Sequence, residues 1–448
     1  MKKLVALIVI AALIISCSGC SLNFFSVESL ITPPMQSGEN GEVQKAFNTL
    51  MKDTKFQLKT PVSGDYQTSF VLLDINADGS DEAFVFYSDA SSVESSVRMA
   101  FMECINEEWK ITSDIKGAGS GVYDINFVDL NGDGVSEIFV SWSLLDSKNT
   151  RIVSIFEIAI NKNNIVALNS LGNEYSDYKA FLDFNNDGAD DLIVIYLDDT
   201  GAVQKSYFRI FSLSENHKLT KYGETVLDSA IASISSVKTD SAVINGEKVT
   251  RVFADCFKND RMIFTELVYW DSVHKVPVKE FTEPSITNLR SSDVLCRDID
   301  NDGFLEIPSL THLYGDENTF VVKSGEDSFT FTLLQWNNAK GDSGGKILTT
   351  LLNPVDRYLF HFEWGSKVTI KYDSLRESLL FCKWDEANKQ TGDELFSIAC
   401  RSELAENEIL GNLLLDTDTA VYYYQITESG YDFGLRDETI NSSFIKID

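Results

Sequence analysis

Hydrophobic positions along most of the chain recur in short apolar runs separated by clusters of Asp, Asn, Gly and Ser, which predicts β-strands punctuated by turns. The first runs are Phe70–Leu73, Ala83–Tyr87, Ser96–Glu103 and Glu108–Thr112. The same order returns as Ile125–Val128, Ile138–Trp142, Ile152–Ile160 and Ile165–Asn169, and Leu192–Tyr196 opens a third round. Further on, Ala232–Val237 and Val249–Asp255 read as strands joined by a loop holding Asp240, Asn245 and Gly246, and Arg261–Asp271 supplies another. One stretch has a different period. Val43, Ala46, Phe47, Leu50 and Met51 fall at helical spacing and predict an amphipathic helix over 41–53, with Asn40 as its N-cap, docked on the core. After Pro354 the rhythm changes. Tyr358–Glu363, Ser366–Tyr372, Ser378–Lys383, Leu395–Ala399 and Ala420–Ile426 read as strands and Asp437–Phe444 as a short helix, so a separate small α+β domain is expected over 353–448.

The polar positions are organised as well. Asp74-Ile75-Asn76-Ala77-Asp78-Gly79-Ser80-Asp81-Glu82 recurs at 129–137, 183–191 and 298–306, each time between two strand-like runs. The starts lie 55, 54 and 115 residues apart (74, 129, 183, 298), so the last interval spans two periods and one unit has lost its motif. Four strands per period is the sequence form of a propeller blade, and a blade cannot bury both faces alone. The expected fold is therefore mainly β. A β-propeller of about five four-stranded blades over 63–352 is expected, rising to seven if the C-terminal segment contributes two degenerate blades.

Counted from the first Asp, side-chain oxygens stand at positions 1, 3, 5 and 9, a glycine at 6, and a backbone carbonyl is offered at 7. Alternating hard oxygens on a tight turn suit Ca²⁺, and the glycine permits the turn; Mg²⁺ demands a stricter octahedron and keeps its waters. The candidate ligands are Asp74, Asn76, Asp78, Ser80 and Glu82; Asp129, Asn131, Asp133, Val135 and Glu137; Asp183, Asn185, Asp187, Ala189 and Asp191; and Asp298, Asp300, Asp302, Phe304 and Glu306. Position 12 is Val85, Val140, Val194 or Ser309 rather than a bidentate Glu, so these are strand-to-strand loops and not EF-hands. Up to four structural Ca²⁺ are expected.

Lys2 and Lys3 precede an apolar run, Leu4–Ile15, too short to span a bilayer and suited to a signal-peptide core. It ends in Ser16-Cys17-Ser18-Gly19-Cys20-Ser21, which resembles a bacterial lipobox. Two registers compete. Cys20 is preferred for its Ser18-Gly19 approach, and Cys17 is the alternative, with Ile14, Ile15 and Ser16 before it. The organisation expected is a signal peptide at 1–20, a tether at 21–40 through Pro33-Pro34, and the helix with its lead-in at 41–62. A lipid anchor would hold the body on the extracytoplasmic face of the cell membrane. The remaining cysteines, Cys104, Cys256, Cys296, Cys382 and Cys400, show no metal spacing and no disulfide framework.

The repeated acidic loops and their strand pairs resemble FG-GAP repeats, also called VCBS repeats, over about residues 65–350. The layout as a whole resembles lipoproteins of Gram-positive anaerobes, through the Cys20-Ser21 anchor, Leu30-Ile31-Thr32-Pro33-Pro34, Ser63-Gly64-Asp65-Tyr66, Asp393–Ile398 and Ile440–Phe444. The resemblance implies a calcium-loop propeller carried on a lipid; it implies no activity.

Composition narrows the partners. Lys+Arg 38 against Asp+Glu 68 leaves a net charge of −30, which excludes nucleic-acid binding through a basic stripe. The four histidines, His217, His274, His312 and His361, lie in no HExxH motif, and no GxSxG elbow, phosphate-binding loop or dinucleotide fingerprint occurs. No nucleotide is therefore expected. Six tryptophans alternate with apolar strand residues and read as core. Two functions remain: a non-catalytic binding or scaffold module offering loops to a surface protein or glycan, and a propeller hydrolase or lyase acting on cell-wall or polysaccharide substrate.

Overall fold

A computed structural model describes residues 39–89, 97–160, 166–214, 216–291, 294–311, 321–323, 330–337, 347–353, 358–362, 367–401, 411–417 and 421–446. The expected signal peptide, both candidate lipidation cysteines and the tether as far as residue 38 lie outside them.

The described chain is mainly β, in six antiparallel sheets. In the first sheet Glu82–Asp89, Val97–Ile105 and Glu108–Lys116 lie side by side, and Phe70–Leu73 and Phe56–Leu58 share the free edge of Glu82–Asp89. The second runs in order Gly121–Val128, Glu137–Ser143, Arg151–Ile160, Val166–Ser176. The third follows as Tyr178–Leu182, Asp191–Asp198, Lys205–Leu213, Leu219–Leu227. The fourth holds Ser233–Ile244, Glu247–Asn259 and Met262–Asp271, with Val276–Lys279 and Arg290–Ser291 on its last edge. No helix among the described residues is long and apolar enough to cross a membrane.

The second strand of each unit explains why the sheets stack. Glu82–Asp89, Glu137–Ser143 and Asp191–Asp198 are buried almost throughout, so they carry near-continuous apolar runs and divide alternate residues between two neighbours. Phe84 and Phe86 join Ile138, Val140 and Trp142 between the first and second sheets. Phe139 meets Leu192, Val194 and Tyr196 between the second and third. Ile193, Ile195 and Leu197 meet Val252, Ala254 and Cys256 between the third and fourth. Phe253 then meets Cys296 and Ile307 at the entry to the fifth, and Leu333 of the fifth joins the core of the sixth.

The other face of the first sheet, Ala83, Val85, Tyr87, Ala100 and Met102, is covered by the helix Glu39–Leu50 through Val43 and Phe47. The helix is the amphipathic one expected, but Asn40 lies inside it rather than capping it, and Leu50 is exposed. The fourth unit has no acidic loop between its first two strands. Asn245 and Gly246 turn the chain in two residues, both with positive φ (54° and 80°), the hairpin geometry that favours Asn-Gly. Asp240, expected in that loop, instead sits within Ser233–Ile244 and pairs with Arg251 across the hairpin.

The fifth sheet orders Ile307–Leu310, Thr330–Asn337, Ile347–Asn353, Tyr358–Phe362 and the terminal strand Phe444–Lys446. The boundary expected between 352 and 353 therefore divides a hydrogen-bonded sheet: Tyr358–Phe362 pairs with Ile347–Asn353 and belongs with the strands before it. The sixth sheet is built from Val368–Asp373, Ser378–Asp385, Gln390–Arg401, Val421–Ile426 and Asn412–Asp416, followed by the short helices Glu428–Asp432 and Asp437–Ser442. Trp142, Trp270, Trp336 and Trp384 are buried, as core residues should be. Cys256, Cys296, Cys382 and Cys400 are buried and are not disulfide-bonded.

Candidate metal centre

All four acidic loops fold alike because the same backbone groups find the same carboxylates. The residue before the first Asp pairs with the position-9 acid in every case: Leu73 with Glu82, Val128 with Glu137, Leu182 with Asp191, and Arg297 with Glu306. Position 2 is an apolar plug, Ile75, Leu130, Phe184 or Ile299, each buried. The first three of these enter the cores between successive sheets, which seats the loops at the sheet junctions. The apolar character of position 2 is visible in the sequence, but its role as a plug between sheets is not.

Within each loop, the first Asp accepts the position-6 glycine N–H at 2.8–3.0 Å and the position-5 N–H at 3.0–3.2 Å. The position-5 Asp accepts the N–H of position 7, from Ser80, Val135, Ala189 and Phe304, at 2.8–3.0 Å. The position-9 acid accepts the N–H of position 2 at 2.8–3.2 Å. Two left-handed residues make this wrap possible. Position 6 is glycine at φ 87–94°, and position 4 is Ala77, Gly132, Asn186 or Asn301 at φ 56–74°.

The loops differ at position 3. Asn76 donates its amide to Glu82 Oε1 at 3.0 Å, and Asn131 reaches Glu137 Oε1 at 3.5 Å and Asp133 at 3.0 Å. In the third loop Asn185 donates to Asp187 and to the hydroxyl of Tyr222, which arrives from the strand Leu219–Leu227. In the fourth loop position 3 is Asp300, which has no amide to offer. There Asp298, Asp300, Asp302 and Glu306 bring carboxylate oxygens within 4.8 Å of one another. Glu306 is fully buried and its Oε1 has no hydrogen-bond partner. Among the described residues this is the acidic group that gathers its carboxylates most closely.

The electrostatics follow. Burial pushes the carboxyls of Glu82, Glu137 and Glu306 up to about 7, the position-2 N–H opposes the rise, and neighbouring aspartates add to it. Burial raises Asp191 to about 6 against hydrogen bonds from Tyr222 and Phe184. A buried carboxylate beside three others, with an oxygen left unsatisfied, fits a divalent cation with oxygen ligands. The residues that could hold such a cation in the fourth loop are Asp298, Asp300, Asp302 and Glu306.

The unit that lost its own loop braces this one. Arg251, fully buried, pairs with Asp240, and Asp240 Oδ2 accepts the N–H of Leu305 at 2.8 Å. The Arg251 guanidinium also lies 5.9 Å from the Phe304 ring. This strut is not legible in the sequence, because an Asp and an Arg eleven residues apart on two strands give no local signal. Compared with known proteins, the chain matches no protein-family model and no curated sequence.

Proposed function

We propose that the chain is a calcium-stabilised, propeller-type stack of four-stranded blades that acts as a non-catalytic binding or scaffold module, tethered by an N-terminal lipid to the extracytoplasmic face of the cell membrane. The observation that carries the calcium part is the fourth loop. Its four carboxylates converge, and the buried Glu306 Oε1 lacks a partner that a cation would supply. The shared backbone register of the other three loops extends the reading to them. The blade reading is supported by successive antiparallel sheets that pack face to face through period-two apolar residues. The helix Glu39–Leu50 on the outer face of the first sheet favours an open stack over a closed ring. The tether rests on Lys2, Lys3, the apolar run Leu4–Ile15 and Cys20, with Cys17 as the alternative.

Thermal unfolding with excess chelator and with about 5 mM Ca²⁺ tests this reading. For sites in the weak extracellular range, roughly 10⁻⁴–10⁻³ M, each occupied loop adds about 1–2 kcal/mol. A melting temperature that rises with Ca²⁺, and rises less with Mg²⁺, is expected. Superimposable curves with and without chelator would sink the proposal.

A further inference from the structure

A second concave site lies between the second and third sheets, toward the strand ends remote from the acidic loops. It is a cavity of about 210 Å³. Its floor is a buried ion pair: Lys179 Nζ lies 2.6 and 2.7 Å from the two oxygens of Asp124 and 2.9 Å from Ser141 Oγ. On its wall the Arg151 guanidinium carbon sits over the Tyr123 ring, 3.4 Å from the centroid. Asp177 lines it too, and burial holds that carboxyl above its ordinary value. Ser63 and Ser176 also line it.

The charges decide the ligand class. Two cations and two carboxylates face one small space, so the lining carries no net formal charge. An anion would meet Asp124 and Asp177 as well as the chain's overall −30. A cation would meet Arg151 and Lys179. A neutral molecule with several hydroxyls uses both signs at once, donating to the carboxylates and accepting from the guanidinium. The ion pair and the guanidinium–ring contact hold these groups in place beforehand, so little rotamer freedom is lost on binding. The volume is below the roughly 300–1,000 Å³ of drug-sized pockets and suits one sugar ring rather than an oligomer.

We infer that this cavity binds a single neutral sugar residue, the recognised unit of a glycan. The inference rests on the binding-module reading above and narrows its partner to a carbohydrate.

Saturation-transfer NMR and titration calorimetry on the calcium-loaded full chain test it, with glucose, galactose and N-acetylglucosamine as neutral probes and glycine and inorganic phosphate as charged ones. At least one sugar should bind, and Arg151→Gln should weaken it tenfold or more with little change in melting temperature. Tyr123→Leu, which removes the ring that the Arg151 guanidinium rests on, gives a second readout should Arg151→Gln fold poorly, and is expected to weaken binding several-fold. Silence from all three sugars would overturn the inference. So would equal affinity in wild type and both variants, or tighter binding of glycine or phosphate than of any sugar. If sugar binding fails while Ca²⁺ still raises the melting temperature, only the assignment of this cavity falls.

Discussion

Replacing Asp300 by Asn should turn the fourth loop into a copy of the first. In the first loop the position-3 amide donates to the buried Glu at 3.0 Å, whereas Asp300 leaves Glu306 Oε1 without that donor. The substitution keeps the position-3 oxygen, adds an N–H, and removes one of four negative charges that sit within 4.8 Å of one another. A hydrogen bond to a charged acceptor is worth about 1.5–3 kcal/mol. With the exposed rim screening much of the relieved repulsion, a metal-free gain of about 2 kcal/mol is expected. If the chain melts as one unit, that is about 2 °C. Calcium loses a charged ligand at the same time, so its dissociation constant at this loop should rise about tenfold, or about 1.4 kcal/mol. The assay is thermal unfolding across a Ca²⁺ titration at about pH 8, where Glu306, raised to about 7, is ionised. Asp300→Asn should melt above wild type in chelator, and the difference should shrink by roughly half at about 5 mM Ca²⁺. A variant less stable than wild type without metal, or an advantage that Ca²⁺ leaves unchanged, would refute the reasoning.

Two further predictions concern stability alone. Glu266 is fully buried, and burial lifts its carboxyl to about 7 against the Asp228 N–H and Lys279, while its Oε2 has no partner. A raised acid binds more protons folded than unfolded, so its contribution is intact below about pH 4.5 and is lost as pH rises through about 7. Glu266→Gln should match wild type near pH 4.5 and exceed it by about 3 kcal/mol above pH 7; parallel urea stabilities across that range would refute this. Ala77 holds φ 56°, where its Cβ is strained, while Gly132, Asn186 and Asn301 serve the same position in the other loops. Ala77→Gly should stabilise the chain by about 1 kcal/mol without altering its Ca²⁺ response. A melting temperature equal to or below wild type would count against that conformation.

Local elements were legible wherever one residue pattern had one physical reading. Phe70–Leu73 folds with the bounds its apolar run set, and Asp191–Asp198 extends Leu192–Tyr196 only at its ends. The acidic loops were legible because their geometry is local: the Asp, Asn and Glu side chains meet backbone groups within nine residues. Misplacements arose where a distant partner intervened. Asn40 was expected as a cap, but it lies within the helix Glu39–Leu50, which docks through Val43 and Phe47. Tyr358–Phe362 was grouped with the C-terminal segment because periodicity ends at Pro354. Pairing with Ile347–Asn353 and with Phe444–Lys446 places it in the fifth sheet.

By itself, then, the sequence determined strand content, the repeat, its missing member and the places of the acidic loop residues, since all of these are carried by side-chain period and spacing along one stretch of chain. Tertiary structure decided which loops resemble one another in chemistry. It brought Tyr222 to the third loop across 37 residues and the Asp240–Arg251 pair to the fourth across 65. It also assembled Asp124 and Lys179, 55 residues apart, into the floor of a cavity. Contacts at such separations depend on how twisted sheets stack, and stacking is set by the summed fit of two apolar faces, which no short window of residues contains.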